Sequence, residues 1–135
     1  MIMDINCDMG EIPGLLENNV YSDLMDHVTS INLACGGHAG DLSMMRELVR
    51  IAKKKNVRIG AHPSYPDREN FGRLELELDP EELLRSICDQ VRSLIRIAEA
   101  ENVSISHIKH HGALYNQAAK DAQLARVIGN AVDRV

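Results

Sequence analysis

The order of its apolar segments constrains this chain most: short apolar runs alternate four times with longer stretches of helical periodicity. The runs fall at Met1 to Cys7, Val28 to Ala34, Val57 to Ala61 and Val103 to Lys109. Such a βαβαβαβα order predicts parallel strands joined by right-handed helical crossovers. Asp41 or Ser43 is placed to cap a helix reaching about Lys55, in which Met45, Leu48, Val49 and Ile51-Ala52 recur at helical spacing. Lys53, Lys54 and Lys55 stand at its negative end, a solvated charge run, and Asn56 suits its stop. Asp79-Pro80-Glu81-Glu82 opens a longer helix that buries Leu83, Leu84, Ile87, Val91, Leu94, Ile95 and Ala98. Ala113 to Val135 reads as largely helical and Tyr21 to Asp26 as a helical turn. Pro13, Gly14, Asn18 and Asn19 predict a loop after the first strand, and a long loop follows His62-Pro63 to about Leu78. No linker or low-complexity tract interrupts residues 1–135, so one domain is expected.

In parallel α/β folds, reactive groups collect where strands run out into loops. Here all four strand ends are polar. They read Asn6-Cys7-Asp8-Met9-Gly10-Glu11, then Asn32 through Gly36-Gly37-His38-Ala39-Gly40-Asp41, then His62-Pro63, then Lys109-His110-His111-Gly112 through Tyr115-Asn116. Alternation along a strand puts Asn6 and Asp8 on one face, and Lys109 and His111 on one face. Four of the six histidines, His38, His62, His110 and His111, fall at this edge. Each residue also has a plainer reading. A strand-end histidine can be a surface or hydrogen-bonded structural group, Asp8 can cap a loop, and Asp41 can cap its helix. His107 reads as satisfied packing, His27 as a surface residue, and Cys7 and Cys35 as small core residues. Lys109 is harder to dismiss, because a buried ammonium needs a partner. Gly36, Gly37 and Gly40 permit a tight turn and could let backbone N–H groups approach a ligand.

The net charge of -5 argues against general affinity for nucleic acid or an anionic membrane. No apolar run approaches the ~20 residues that span a bilayer, and the N-terminus lacks the basic and apolar regions of a signal peptide. Cys7, Cys35 and Cys88 are odd in number and form no CxxC pair, which suits reduced thiols in the cytoplasm.

Four stretches in order resemble the LamB/YcsF family, associated with the A component of the prokaryotic 5-oxoprolinase. They are Asp4-Ile-Asn-Cys-Asp-Met-Gly-Glu11, Thr29-Ser-Ile-Asn-Leu-Ala-Cys-Gly-Gly-His-Ala-Gly-Asp41, Ile59-Gly-Ala-His-Pro-Ser-Tyr-Pro-Asp67 and Lys109-His-His-Gly-Ala-Leu-Tyr-Asn116. Phe71-Gly72-Arg73 resembles the family's loop after strand three. The resemblance implies a parallel (β/α) barrel of the glycoside hydrolase/deacetylase type, here a half-barrel of about four βα units. It also implies ATP-dependent opening of 5-oxoproline to L-glutamate together with 5-oxoprolinase subunits B and C. The positions carried over are Asn6, Asp8, Glu11, Asn32, His38, Asp41, His62, Arg73, Lys109, His111, Tyr115 and Asn116. Three departures from the family pattern stand out: Ile12-Pro13-Gly14 after Gly10-Glu11, Asn70 and Leu74 around Phe71-Gly72-Arg73, and His110 in place of a proline. The first two fall in loops that could shape a substrate pocket.

Opening a lactam needs a base to direct water and donors to hold the developing oxyanion. Asp8 or His62 is the expected base, with Lys109, His111 or the Gly36-Gly37 backbone as oxyanion or phosphate donors. The chain has no GxxxxGK[ST] phosphate loop, so ATP is assigned to a partner subunit. The alternative enzyme is a divalent-metal amidohydrolase or deacetylase with Asp8, His38 and His62 as ligands. The non-enzyme alternative is a truncated, non-catalytic subunit that binds partners. A lone half-barrel would leave two sheet edges and an apolar inner face open, which predicts a homo-oligomer or a separate C-terminal half as partner.

Overall fold

The computed structural model describes residues 3–135. The elements, in chain order, are β1 (Asn6–Met9), α1 (Pro13–Glu17), α2 (Val20–Leu24), β2 (Ser30–Ala34) and α3 (Leu42–Lys55). They continue with β3 (Arg58–His62), α4 (Pro80–Ala100), β4 (Ile105–Ile108), α5 (Gly112–Ala118) and α6 (Ala122–Val132). The strands form one parallel sheet in the order β1-β2-β3-β4, a partial barrel whose edges are β1 and β4. Sequential parallel strands can be neighbours here because a helix returns the chain across one face each time.

Alternation sorts the two faces chemically. Cys7, Met9, Ile31, Leu33, Ile59 and Ala61 join the core with Leu48 and Val49 of α3 and with Ile87, Val91 and Leu94 of α4. The other face is polar, in layers set by register. Asn6, Ser30 and Arg58 are aligned, then Asp8, Asn32, Gly60 and His107, then Ala34 and His62. At its lower end Asp4 receives hydrogen bonds from Thr29, from Ser30 Oγ (3.0 Å) and from Arg58 (2.7 Å). The expected apolar inner face is therefore not present among the described residues. Hydrogen-bonding side chains occupy much of it, so this face gives no apolar ground for association. The two open sheet edges remain.

The boundaries differ from the sequence reading in ways that follow from backbone accounting. Met1 and Ile2 of the first expected strand lie outside the described residues. Val57 and Val103 precede their strands because their N–H groups donate back to Ala52 and Ala98, closing α3 and α4. Residues 13–17 are helical, not a loop. Pro13 stands in the first turn, where its missing N–H costs nothing, and the helix stops at Asn18. Asn19, at φ 62°, turns the chain into α2. The helix expected over Ala113 to Val135 is broken at Asp121, whose carboxylate accepts from the N–H groups of Gln123 and Leu124 and starts α6.

Candidate functional site

Strand ends carry the polar groups upward from this inner face. Asn32 Nδ2 donates to Asn6 Oδ1 (2.9 Å) and Asp8 Oδ1 (2.8 Å), which fixes the shared face of Asn6 and Asp8. Its own Oδ1 accepts from His107 Nε2 at 2.8 Å. His107 reaches across β3 only because residue 60 is glycine: a Cβ there would stand 2.2 Å from His107 Nε2. Lys109 Nζ donates to both oxygens of Asp8, at 2.7 and 2.9 Å. The ammonium thus has its partner, just beyond β4 and half-open to solvent. Partial burial works against ionisation of Asp8, but His62 beside it and the Lys109 hydrogen bond outweigh that. They hold its carboxyl well below the usual carboxylate range.

Three histidines and a glutamate converge above this pair. His62 is buried, and its Nδ1 lies 2.6 Å from the carbonyl oxygen of Lys109. His111 Nε2 lies 2.9 Å from the carbonyl oxygen of Phe71. A carbonyl can only accept, so both of those nitrogens carry their protons. His62 Nε2 and His111 Nδ1 then face each other at 3.0 Å. Glu11 Oε1 accepts from His38 Nε2 at 2.8 Å and lies 3.5 Å from His111 Nδ1. Burial raises the Glu11 pKa, but the His38 hydrogen bond and the surrounding imidazoles outweigh it and leave it below its ordinary value. Burial, then the charge of His38, lowers that of His111. Glu11 Oε1 and one nitrogen from each of His38, His62 and His111 lie within 4.8 Å of one another, a set that could hold a metal ion. Asp8 stands outside it, with Oδ2 at 3.4 Å from His62 Nε2. The set thus contains Glu11 and His111 where the sequence reading had Asp8.

Local structure explains this convergence. Gly10, at φ 80°, turns the chain after β1, and the hydroxyl of Tyr21 accepts from the N–H groups of Glu11 (3.0 Å) and Ile12 (2.9 Å). Phe71 and Gly72 both have positive φ, a strained setting for an aromatic residue, and this aims the Phe71 carbonyl at His111. Buried Gln90 of α4 clamps the loop after β3 by bonding both Ser64 N and Ser64 O. In the glycine turn one of the two expected donors is already engaged. The N–H of Gly36 is spent on Ala39 O, the carbonyls of Gly36 and Gly40 accept from Arg68, and Gly37 makes room for Gln90.

Asp8, His62, Arg73, Lys109, His111, Tyr115 and Asn116 line one cavity of about 430 Å³, together with His110 and Gly112. Glu11, His38 and Asp41 line a second, of about 220 Å³, with Arg68 and Phe71. His38 and His111 bridge the two by stacking at 3.7 Å. Asn6 and Asn32 line neither cavity and act through Asp8. Asp41 caps α3 by accepting from Met44 N. His110 is largely buried with Nε2 unpartnered, and burial lowers its pKa to about 4. Cys35 is no nucleophile, since burial pushes its thiol up to about 12. The sequence reading missed Tyr21 and Gln90, and it read His107 as satisfied packing without its bond to Asn32. A polar Gln90 on the apolar face of α4 and a glycine inside β3 were the available signals.

The LamB/YcsF family model matches residues 3–135. The chain belongs to the LamB/YcsF family. Among its relatives in that family, the 5-oxoprolinase A component of Pyrococcus abyssi is 45% identical over 128 residues, covering 95% of this chain and 50% of that protein. The 5-oxoprolinase A component of Bacillus subtilis is 43% identical over 133 residues, covering 98% and 52%. The crystal structure of a lactam utilization protein from Thermus thermophilus superposes with a TM-score of 0.92 at 40% identity, covering 99% of this chain and 54% of that one. The chain therefore spans about half the length of the LamB/YcsF relatives it matches. No helix among the described residues is long and apolar enough to cross a membrane.

Proposed function

We propose that this chain is the lactam-handling part of a 5-oxoprolinase, which opens 5-oxoproline to L-glutamate at the expense of ATP bound by a partner subunit. The observation that carries the reading is the convergence of Asp8, His62, Lys109 and His111 on one open cavity, in a chain whose relatives are named as the A component of 5-oxoprolinase. Asp8 and His62 were equal candidates for the base. Lys109 already engages both oxygens of Asp8, so with no ion at the histidines His62 Nε2, whose lone pair faces the site, is the better base. Lys109 Nζ, at the cavity wall, stands where an oxyanion or phosphoryl oxygen would be held. Arg73 has no carboxylate partner among the described residues and packs 5.2 Å from the Phe71 ring centroid. It is free to bind the substrate carboxylate through two parallel hydrogen bonds. Subunits B and C are the proposed partners, and the edges β1 and β4 take up a second copy or a separate C-terminal half. The three unpaired cysteines suit a cytoplasmic setting.

The test is glutamate formation from 5-oxoproline and ATP by this chain with candidate partner subunits. Product that depends on ATP, on the partners and on this chain is expected; a complex in which omitting this chain changes nothing contradicts the reading. Substrate recognition has its own check. Arg73→Gln should raise KM for 5-oxoproline roughly ten- to 100-fold, the loss of one charged hydrogen-bonding partner. It should leave 2-pyrrolidinone, the lactam without a carboxylate, unchanged. Equal effects on both lactams would remove Arg73 from carboxylate recognition.

A further inference from the structure

The arrangement of the three histidines poses an electrostatic problem. The tautomers of His62 and His111 are fixed by the backbone carbonyls of Lys109 and Phe71. When both rings are neutral, each turns a lone pair toward the other, His62 Nε2 to His111 Nδ1 at 3.0 Å. Glu11 Oε1 adds a third electron-rich atom, 3.5 Å from His111 Nδ1 and 4.0 Å from His62 Nε2. The rings are buried, and solvent cannot relieve the repulsion. Such a set needs a cation at its centre.

We propose that Glu11 Oε1, His38 Nε2, His62 Nε2 and His111 Nδ1 form a binding site for a late first-row divalent ion of the zinc type. Three observations favour an ion over a proton shared by two rings. Four donors converge within 4.8 Å, where a proton would engage only two. A tetrahedral zinc site with bonds of about 2.0–2.1 Å spaces its ligand atoms by about 3.4 Å. Four distances between these atoms, 2.8, 3.0, 3.5 and 4.0 Å, bracket this value, and the parallel rings of His38 and His111 would tilt apart to aim both nitrogens at one centre. Finally, His62 and His111 each use the remote nitrogen to donate to a backbone carbonyl, the outer support that orients metal-binding imidazoles. One carboxylate and three imidazoles suit zinc and its neighbours rather than calcium or magnesium, which prefer oxygen. Bound there, the ion would supply a Lewis acid at the wall between the two cavities. An ion there would occupy the His62 Nε2 lone pair, so His62 would be a base in the ion-free chain and a ligand in the loaded one; ion binding itself is independent of the lactam.

The experiment is calorimetric titration of the chelator-stripped chain with Zn²⁺, followed by Co²⁺ loading for its absorption spectrum. One ion per chain is expected, with the intense visible bands of four-coordinate Co²⁺. Glu11→Gln and His111→Gln should weaken binding by more than about 100-fold, beyond what loss of an outer-shell partner costs. Circular dichroism checks that each variant is folded; if one is not, the near-isosteric Glu11→Gln decides. Asp8→Asn should bind as the parent does. Substoichiometric binding, or parent-like binding in Glu11→Gln and His111→Gln, overturns the proposal and leaves a shared proton between His62 and His111. Loss of the ion in Asp8→Asn overturns this ligand set in favour of Asp8, His38 and His62.

Discussion

Gly60 shows how a single atom decides the order beneath the site. Its missing Cβ lets His107 lie across β3 and hold Asn32, which in turn holds Asp8. Gly60→Ala should cost about 1–3 kcal/mol through overpacking and should break the His107–Asn32 hydrogen bond. Chemical denaturation and the His107 imidazole nitrogen shifts check both; an unchanged shift would show that the ring does not depend on the gap. His110 makes a second prediction. Burial lowers its pKa from the ordinary 6.5 to about 4, so the folded chain keeps it neutral while the unfolded chain protonates it near 6.5. Its contribution to stability is therefore present above pH 6.5 and is lost as the pH falls toward about 4. His110→Leu should flatten the fall in Tm across that window. A slope equal to the parent's would assign the acid sensitivity to other groups.

Among the elements, the two ends of α3 and the start of α4 were the most legible, because their signals are local. Asp41 and Asp79 cap α3 and α4, and Asn56 ends α3 in a left-handed conformation, each as the residue type suggests. Asp41→Ala should therefore cost about 1 kcal/mol by loss of the cap, read as a shift in the denaturation midpoint. Leu94 of α4 is fully buried, and Leu94→Ala should cost about 2–5 kcal/mol. A smaller loss would mean that α4 packs less tightly on the sheet than its buried face indicates. The strand-end residues were legible because parallel α/β topology fixes which end of a strand bears the loops. What stayed hidden depends on long-range partners. Nothing near His62 in the chain announces the Lys109 carbonyl 47 positions away, and nothing near His111 announces that of Phe71, 40 positions away. Those two carbonyls select the tautomers, and so decide that Glu11 and His111 join His38 and His62 while Asp8 pairs with Lys109.

For the whole molecule, the inner face carries polar layers from Asp4 at one end to His62 and Lys109 at the other. The sequence reading treated that face as an apolar barrel filling, since it inferred the face from the architecture and not from the alternate residues of each strand. Asn6, Asp8, Ser30, Asn32 and Arg58 occupy those alternate positions. Association, where it occurs, should then follow the edges β1 and β4, and raising salt should strengthen it far less than it would strengthen burial of an apolar face. Sedimentation at low and high sulfate checks this. The central claim is that the strand-end histidine His62 acts on a lactam. Its most direct measurement is single-turnover formation of glutamate from 5-oxoproline in the complete complex carrying His62→Gln. A loss of about 10²–10⁴-fold is expected, the range for removal of a general base, with the fold retained. A parent-like rate in folded His62→Gln would contradict it.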